Sequence, residues 1–182
     1  AGGFTGTVYP VNPHAAEVHG HRCYPSVTSL PEVPDLAVIV VPASAVPAII
    51  DECGAQGISS AIVISAGFKE SGPAGGALER DVIARATAHG IRVLGPNCLG
   101  VIATGARMNA SFAGTMPPAG GISFMSQSGA LGTAILDWAH GEGLGLAHFV
   151  SLGNRADLSE ADLLDAWVND PSADVIVAYL ES

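Results

Sequence analysis

Two short stretches carry the residue types from which a binding site could be built: Gly95-Pro96-Asn97-Cys98-Leu99-Gly100 and, further on, Ser126-Gln127-Ser128-Gly129-Ala130. Each follows an apolar run and brings small residues and backbone donors to the place where a strand gives way to a loop or helix. Open parallel sheets hold ligands at such places. Their strand carboxyl ends point into a crevice, and helix N-termini offer unpaired N–H groups to anions. Two such stretches predict two crevices. The first adds an amide side chain, Asn97, that donates and accepts at once. The second joins an apolar strand to a helix and leaves the helix N-terminus open to an anion, although a plain Ser128 cap would need the same residues.

Other strand ends contribute to the same rim. Tyr9-Pro10-Val11-Asn12-Pro13 holds the chain extended between two prolines, as a rigid binding loop or an ordinary tight turn would. Val41-Pro42-Ala43 must turn because Pro42 cannot extend a central ladder. Ser65-Ala66-Gly67-Phe68 offers small residues and one aromatic face. None of these loops supplies an acid–base pair, so the rim reads as a binding site. Cys98 has no histidine partner or cationic setting in sequence and reads as a small packing residue. The His19, His21, Cys23 cluster lacks a fourth ligand at zinc-site spacing, so no metal site is expected. The serine stretch lacks the GxSxG pattern of a hydrolase nucleophile elbow.

The elements that must position these loops alternate. Strands are expected at 6–11, 36–41, 60–65, 92–94, 121–125, 147–151 and 175–180, mostly continuous apolar runs of the kind buried on both faces. Helices are expected at 45–56, capped by Ser44 and ending near Gly57, at 76–89 with Gly90 as stop, at 130–140, and at 159–169 with Ser159 as cap and Asp162 three residues on. Alternating strands and helices predict an α/β fold with parallel sheets and right-handed crossovers. The segment 104–120, rich in glycine and proline, reads as a linker and places a first domain at 1–110 and a second at 111–182. Neither terminus carries the element expected beside it, so both domains read as truncated.

The chain of 182 residues is 48% hydrophobic and only 13% charged, enough apolar sequence for a sizeable core. Its 7 basic and 17 acidic residues give a net charge of −10, which leaves no cationic stripe for nucleic acid or an anionic membrane. Backbone amides can still hold a phosphate without side-chain charge. No apolar run approaches the ~20 residues of a membrane span, and no signal peptide is visible. Three cysteines, Cys23, Cys53 and Cys98, without a CxxC pair fit reduced thiols in the cytoplasm.

The motifs VYPVNP, DLAVIVVPA, AIVISAGF, GPNCLG, ISFMSQSGALG, SLGN and VIVAYLE, in this order, resemble the NDP-forming (ADP-forming) acyl-CoA synthetases and the α subunit of succinyl-CoA ligase. The resemblance implies a Rossmann-like CoA-binding domain followed by a flavodoxin-like ligase domain. It also implies a reaction in which carboxylate, CoA and ATP give acyl-CoA, ADP and phosphate through a phosphohistidine. By resemblance, Val11, Pro13, Val41, Pro42, Ser65, Ala66, Gly67, Phe68, Asn97 and Cys98 would contact coenzyme A. Ser128, Gly129 and Ala130 would hold the phosphoryl group, and Glu181 would orient the histidine. None of the six histidines here has the Ser-His-Thr-Gly context of the family's acceptor. The acceptor and the ATP-grasp domain or β subunit, with its ATP, ADP and Mg2+, are therefore expected outside this chain, in an oligomeric assembly acting on a small carboxylate. Two alternatives stand beside this reading. One is a regulatory CoA-sensing module of a lysine acetyltransferase fusion. The other is a dinucleotide-binding oxidoreductase, disfavoured because no GxGxxG with a downstream acid appears.

Overall fold

The computed structural model describes residues 3–181. A small antiparallel hairpin, β1 (Glu17–Val18) and β2 (His21–Arg22), precedes the first sheet. That sheet has three parallel strands in the order β3 (Ala37–Ile39), β4 (Ser60–Val63), β5 (Arg92–Leu94). Helices α1 (Val46–Gln56) and α2 (Pro73–His89) make the crossovers. Gly57 and Gly90 end them in the left-handed region, as the sequence predicts. Ser44 does not cap α1; it lies within a single tight turn, Ala43–Ala45, that leads into the helix.

The next strands are β6 (Gly100–Ala103), β7 (Met108–Ser111) and β8 (Ala119–Ser126), followed by α3 (Gly129–Gly141), β9 (Leu146–Ser151), α4 (Glu160–Trp167) and β10 (Val175–Tyr179). They form a five-stranded sheet in the order β10-β8-β9-β6-β7. Strands β8, β9 and β10 are parallel, while the β6–β7 hairpin adds antiparallel to β9. The segment expected as a linker therefore contains a strand, β7. Its sequence, Met-Asn-Ala-Ser, has no apolar run to announce it. Hydrogen bonding passes to the second sheet at Gly100, before the shift in composition. At α4, Ser159 and Asp162 form the expected capping box, with the Ser159 hydroxyl donating to Asp162 at 2.7 Å.

Residues 6–11, expected as a strand, join no sheet. Val11 makes one isolated bridge to Tyr24, flanked by Asn12 N–H to Tyr24 and Tyr24 N–H to Pro10, each 2.9 Å, and the Tyr9 hydroxyl donates to Glu32 at 2.9 Å. Pro10 has no N–H with which to continue a ladder.

Strand alternation sorts the apolar residues into three layers. Ala61, Val63 and Val93 face α1 and α2, packing with Val46, Ile50, Val82 and Phe68. Their neighbours Ile62, Ile64 and Leu94 point the other way, onto Met125, Val150, Leu152 and Trp167 of the second unit. Phe124 and Phe149, on the far face of the second sheet, stack 5.9 Å apart and pack against Leu136 of α3. Continuous apolar runs were thus a correct sign of two-sided burial at β4 and β9, where the second side of the first sheet is the other sheet, but not in the runs through β3 and β10, whose Val38, Val40, Val175 and Val177 are exposed. Truncating Ile62 or Met125 in this joint to alanine would cost about 2–5 kcal/mol.

A strap after β9 closes the joint. Along the free edge of β5, Asn154 N–H donates to Pro96 at 2.8 Å, Ala156 N–H to Gly95 at 3.0 Å and Leu158 N–H to Val93 at 3.1 Å. The Asp157 carboxylate accepts from Val93 N–H at 2.7 Å and pairs with Arg92, which also reaches Asp162. An edge that would otherwise invite pairing with another chain is covered.

Candidate functional site

The two expected crevices are one. A cavity of about 810 Å3 lies where strands of both sheets end. The first sheet contributes Val40, Val41 and Pro42 after β3, Ile64, Ser65 and Ala66 after β4, and Asn97, Cys98 and Leu99 after β5. The second contributes Gln127, Gly129 and Ala130 after β8, Gly153 and Asn154 after β9, Glu181 after β10, and Phe112 at the end of β7. Because the sheets pack through Ile62, Leu94, Met125 and Val150, their carboxyl ends open into a shared space instead of two separate ones.

The loops of the first rim are tied to one another. Ser65 Oγ accepts from Val41 N–H at 3.1 Å, and Ser65 O accepts from Asn97 N–H at 2.9 Å. Asn97 has φ 56°, a left-handed conformation that asparagine tolerates better than most residues. Cys98 is buried, its Sγ 3.4 Å from the Val63 carbonyl, and desolvation pushes its thiol up to about 12. A thiol held neutral in this way is a packing group and no nucleophile. Gly153, at φ 58°, passes so close to the other loop that a Cβ there would lie 2.6 Å from the Asn97 carbonyl oxygen. Only glycine lets the two loops close on each other.

The second rim is an open helix end. Ser128 caps α3, its Oγ accepting from Leu131 N–H at 3.3 Å, and its own N–H is satisfied by Ser126 Oγ at 3.1 Å. The next two N–H groups, of Gly129 and Ala130, begin the helix and have no intrahelical acceptor. They sit at its positive end, facing the cavity. A Cβ on Gly129 would meet nothing within 4 Å. Gln127 organises the neighbourhood, its Oε1 accepting from Glu181 N–H at 2.6 Å and its amide donating to Glu160. Burial pulls the Glu160 carboxyl upward, but hydrogen bonds led by Arg155 outweigh it and hold Glu160 below the usual glutamate range.

Nine of the expected residues come together around the cavity: Val41, Pro42, Ser65, Ala66, Asn97, Cys98, Gly129, Ala130 and Glu181. Val11, Pro13, Gly67, Phe68 and Ser128 are not among its lining. The expectation that Phe68 offers an aromatic face does not hold, because its ring is fully buried against α1 and α2. Sequence reasoning missed Val40, Ile64, Leu99 and Phe112 as wall residues. Phe112 is the least foreseeable, since it arrives on the unannounced β7. Gly153-Asn154 stands in the sequence as part of the SLGN motif, yet nothing in sequence marks what Asn154 touches.

Among the described residues no group of three His, Cys, Asp or Glu side chains converges to hold a metal, and no helix is long and apolar enough to cross a membrane. Outside the cavity, Ser123, His148 and Asp170 form a triad-like row, with Ser123 Oγ 3.0 Å from His148 Nδ1 and Asp170 3.5 Å from its Nε2. Ser123 is fully buried in β8, so no substrate carbonyl can reach it.

The CoA binding domain family matches residues 4–104, and the succinyl-CoA ligase like flavodoxin domain matches 119–182. The chain is 50% identical over 178 residues to the ADP-forming acetate–CoA ligase I of Archaeoglobus fulgidus, covering 98% of this chain and 26% of that protein. It is 41% identical to the α subunit of ADP-forming acetate–CoA ligase I of Pyrococcus furiosus, covering 98% of this chain and 40% of the subunit. Among solved structures, a dinucleotide-forming acetyl-coenzyme A synthetase 1 from Ca. Korarchaeum cryptofilum, in complex with phosphate and ADP, superposes with a TM-score of 0.96. It is 46% identical, covering all of this chain and 39% of that one. The chain thus spans between about a quarter and two fifths of these relatives.

Proposed function

The chain belongs to the CoA binding domain family, with a succinyl-CoA ligase like flavodoxin domain following, and from that premise we propose that it is the coenzyme A and phosphoryl half of an ADP-forming acyl-CoA synthetase. The observation that carries this reading is that two chemically different rims face one cavity. On one side are the neutral, amide- and hydroxyl-bearing loops of Val41–Pro42, Ser65–Ala66 and Asn97–Cys98. On the other is the bare start of α3 at Gly129 and Ala130. A ligand whose thiol must meet a phosphoryl-activated carboxylate needs such a pair of neighbours.

In this proposal the first rim holds coenzyme A and directs its thiol inward. The α3 N-terminus holds the phosphoryl group through the Gly129 and Ala130 amides. The phosphoryl group passes from the histidine to a carboxylate oxygen as the N–P bond breaks; the thiol sulfur then bonds to the carbonyl carbon of that acyl phosphate, the C–O bond to phosphate breaks, and the phosphate leaves with the thiol proton, its charge facing the helix end. None of the chain's histidines lines the cavity. The phosphorylated histidine and the ATP-grasp domain, with ATP and Mg2+, come from another segment or subunit, and Glu181 orients that histidine at the rim. The division of labour at 1–110 and 111–182, and a cytoplasmic setting, belong to the same proposal. No observation favours the regulatory alternative, and the relatives named above are ligases.

The test is activity of the assembled protein: ADP and phosphate release from ATP with coenzyme A and a panel of short carboxylates, scored against acyl-CoA formed. Stoichiometric products are expected. Coenzyme A binding without ADP release in the assembled protein would overturn the ligase reading.

A further inference from the structure

We propose that Asn154, supplied by the second sheet, is the positioning residue that sets both cavity loops of the first sheet. The coenzyme A rim is then complete only when the two sheets are docked. Identifying the rim's ligand as coenzyme A rests on the function proposed above; the positioning itself does not.

Asn154 is buried, and every hydrogen-bonding atom it has is committed across the joint. Its side-chain Oδ1 accepts from Asn97 Nδ2 at 3.2 Å. Its Nδ2 donates to Glu70 at 2.6 Å and to Glu79 at 2.7 Å. Its main-chain N–H donates to Pro96, and its carbonyl accepts from Lys69. Glu70 extends the relay, because its other oxygen accepts from Gly67 N–H at 2.6 Å and Phe68 N–H at 3.0 Å. One amide thus fixes the Pro96–Asn97 loop directly and the Ala66–Phe68 loop through Glu70. Aspartate at this position would keep the acceptor and lose both donors, setting a third carboxylate beside Glu70 and Glu79. Leucine would leave Glu79, which is buried, with only a distant lysine.

A residue that merely glued the sheets together would act wherever it sat. Asp157 provides that control, because it also crosses the joint, to Val93 and Arg92, yet touches neither loop. The experiment is amide hydrogen exchange and calorimetric titration with coenzyme A on the assembled protein as wild type, Asn154→Ala and Asp157→Ala. In Asn154→Ala, exchange should accelerate at Gly67, Phe68 and Asn97, and coenzyme A affinity should fall about tenfold. In Asp157→Ala the thermal midpoint should fall while loop exchange and affinity stay within about twofold of wild type. Should Asn154→Ala fail to fold, Glu70→Ala breaks the relay at an exposed residue and should accelerate exchange at Gly67 and Phe68 alone. Unchanged loop exchange in the folded variants, or equal effects from Asp157→Ala, overturns the proposal. If the folded wild type takes up no coenzyme A while the variants show the predicted exchange pattern, the ligand is overturned and the positioning role upheld.

Discussion

The two rims of the cavity are built by opposite strategies. The first is made of loops whose amides are already spent on one another and on the second sheet: Val41 on Ser65, Asn97 on Ser65, Gly67 and Phe68 on Glu70. Its helices start away from the cavity, α1 behind the Ala43–Ala45 turn and α2 behind Gly72. The second rim leaves its first helical amides unspent at Gly129 and Ala130. A rim of spent amides offers shape and neutral polar groups. A rim of free amides at a helix start offers a field for an anion. The difference teaches that one cavity can set neutral polar groups beside a helix-start field without a cationic side chain in its lining among the described residues.

The sharpest way to break that contrast is Gly129→Val. A Cβ there meets open space and the backbone φ is ordinary, so the fold should accept it while the isopropyl group covers the free amides. Phosphoenzyme formed from ATP in the assembled protein should drop by about a hundredfold or more, the scale of removing preorganised donors from a developing charge. Coenzyme A affinity should not change. Loss of both would mean that the rims do not work independently.

The reciprocal change is Asn97→Gly, which keeps the left-handed backbone that alanine would strain and removes the amide. Coenzyme A binding, followed by titration, should weaken about tenfold, with phosphoenzyme yield intact. A matching loss of phosphoenzyme would again merge the two rims.

A smaller effect comes from pH and acts on the first rim through Glu70. Burial pulls Glu70 upward, but hydrogen bonds from Asn154, Gly67 and Phe68 outweigh it and hold the carboxyl below the usual glutamate range. Since the folded group titrates lower than the unfolded one, its stabilisation is full above the ordinary glutamate range and is lost as pH falls through the lower folded value. The protection of the Gly67 and Phe68 amides, taken as their exchange rate relative to an unstructured amide at the same pH, should therefore be high at neutral pH and fall on acidification. In Glu70→Gln the loop amides should lose that pH dependence.

How much of this was legible beforehand follows the same contrast. The second rim announced itself, because an apolar strand running into Ser-Gln-Ser-Gly-Ala is a local pattern, and a capped, open helix end is a local structure. The strand-end loops of the first rim were legible one by one through Pro42, Ser65 and Asn97. Their joint fixing was not, since the Asn97–Asn154 and Glu70–Asn154 contacts span 57 and 84 residues. The merging of two crevices into one was hidden for the same reason: Ile62 and Leu94 read as buried, but sequence does not say against what. Strand β7 was invisible because Asn109 and Ser111 satisfy loop chemistry equally well, and tertiary pairing decided. The residues at 6–11 erred the other way, since β-branched and aromatic residues suggested a strand that Pro10 cannot propagate.

The smallest prediction separates the two kinds of contact in the joint. Arg92 bridges Asp157 and Asp162 from β5 to the strap, yet its side chain is 54% exposed, so water and salt screen both pairs. The hydrogen bonds from Ser159 and then Arg92 that hold Asp162 well below the usual carboxylate range do not make the ion pair strong, because the aspartate lies at the surface. Arg92→Gln should lower the thermal midpoint by about 2 °C or less, and that shift should shrink further at high ionic strength. The Asn154 contacts, shielded from solvent, should keep their effect on the loops at the same salt concentration. A large, salt-sensitive loss in Arg92→Gln would place the weight of the joint on charge at its edge, and Asn154 would then be only one contact among several.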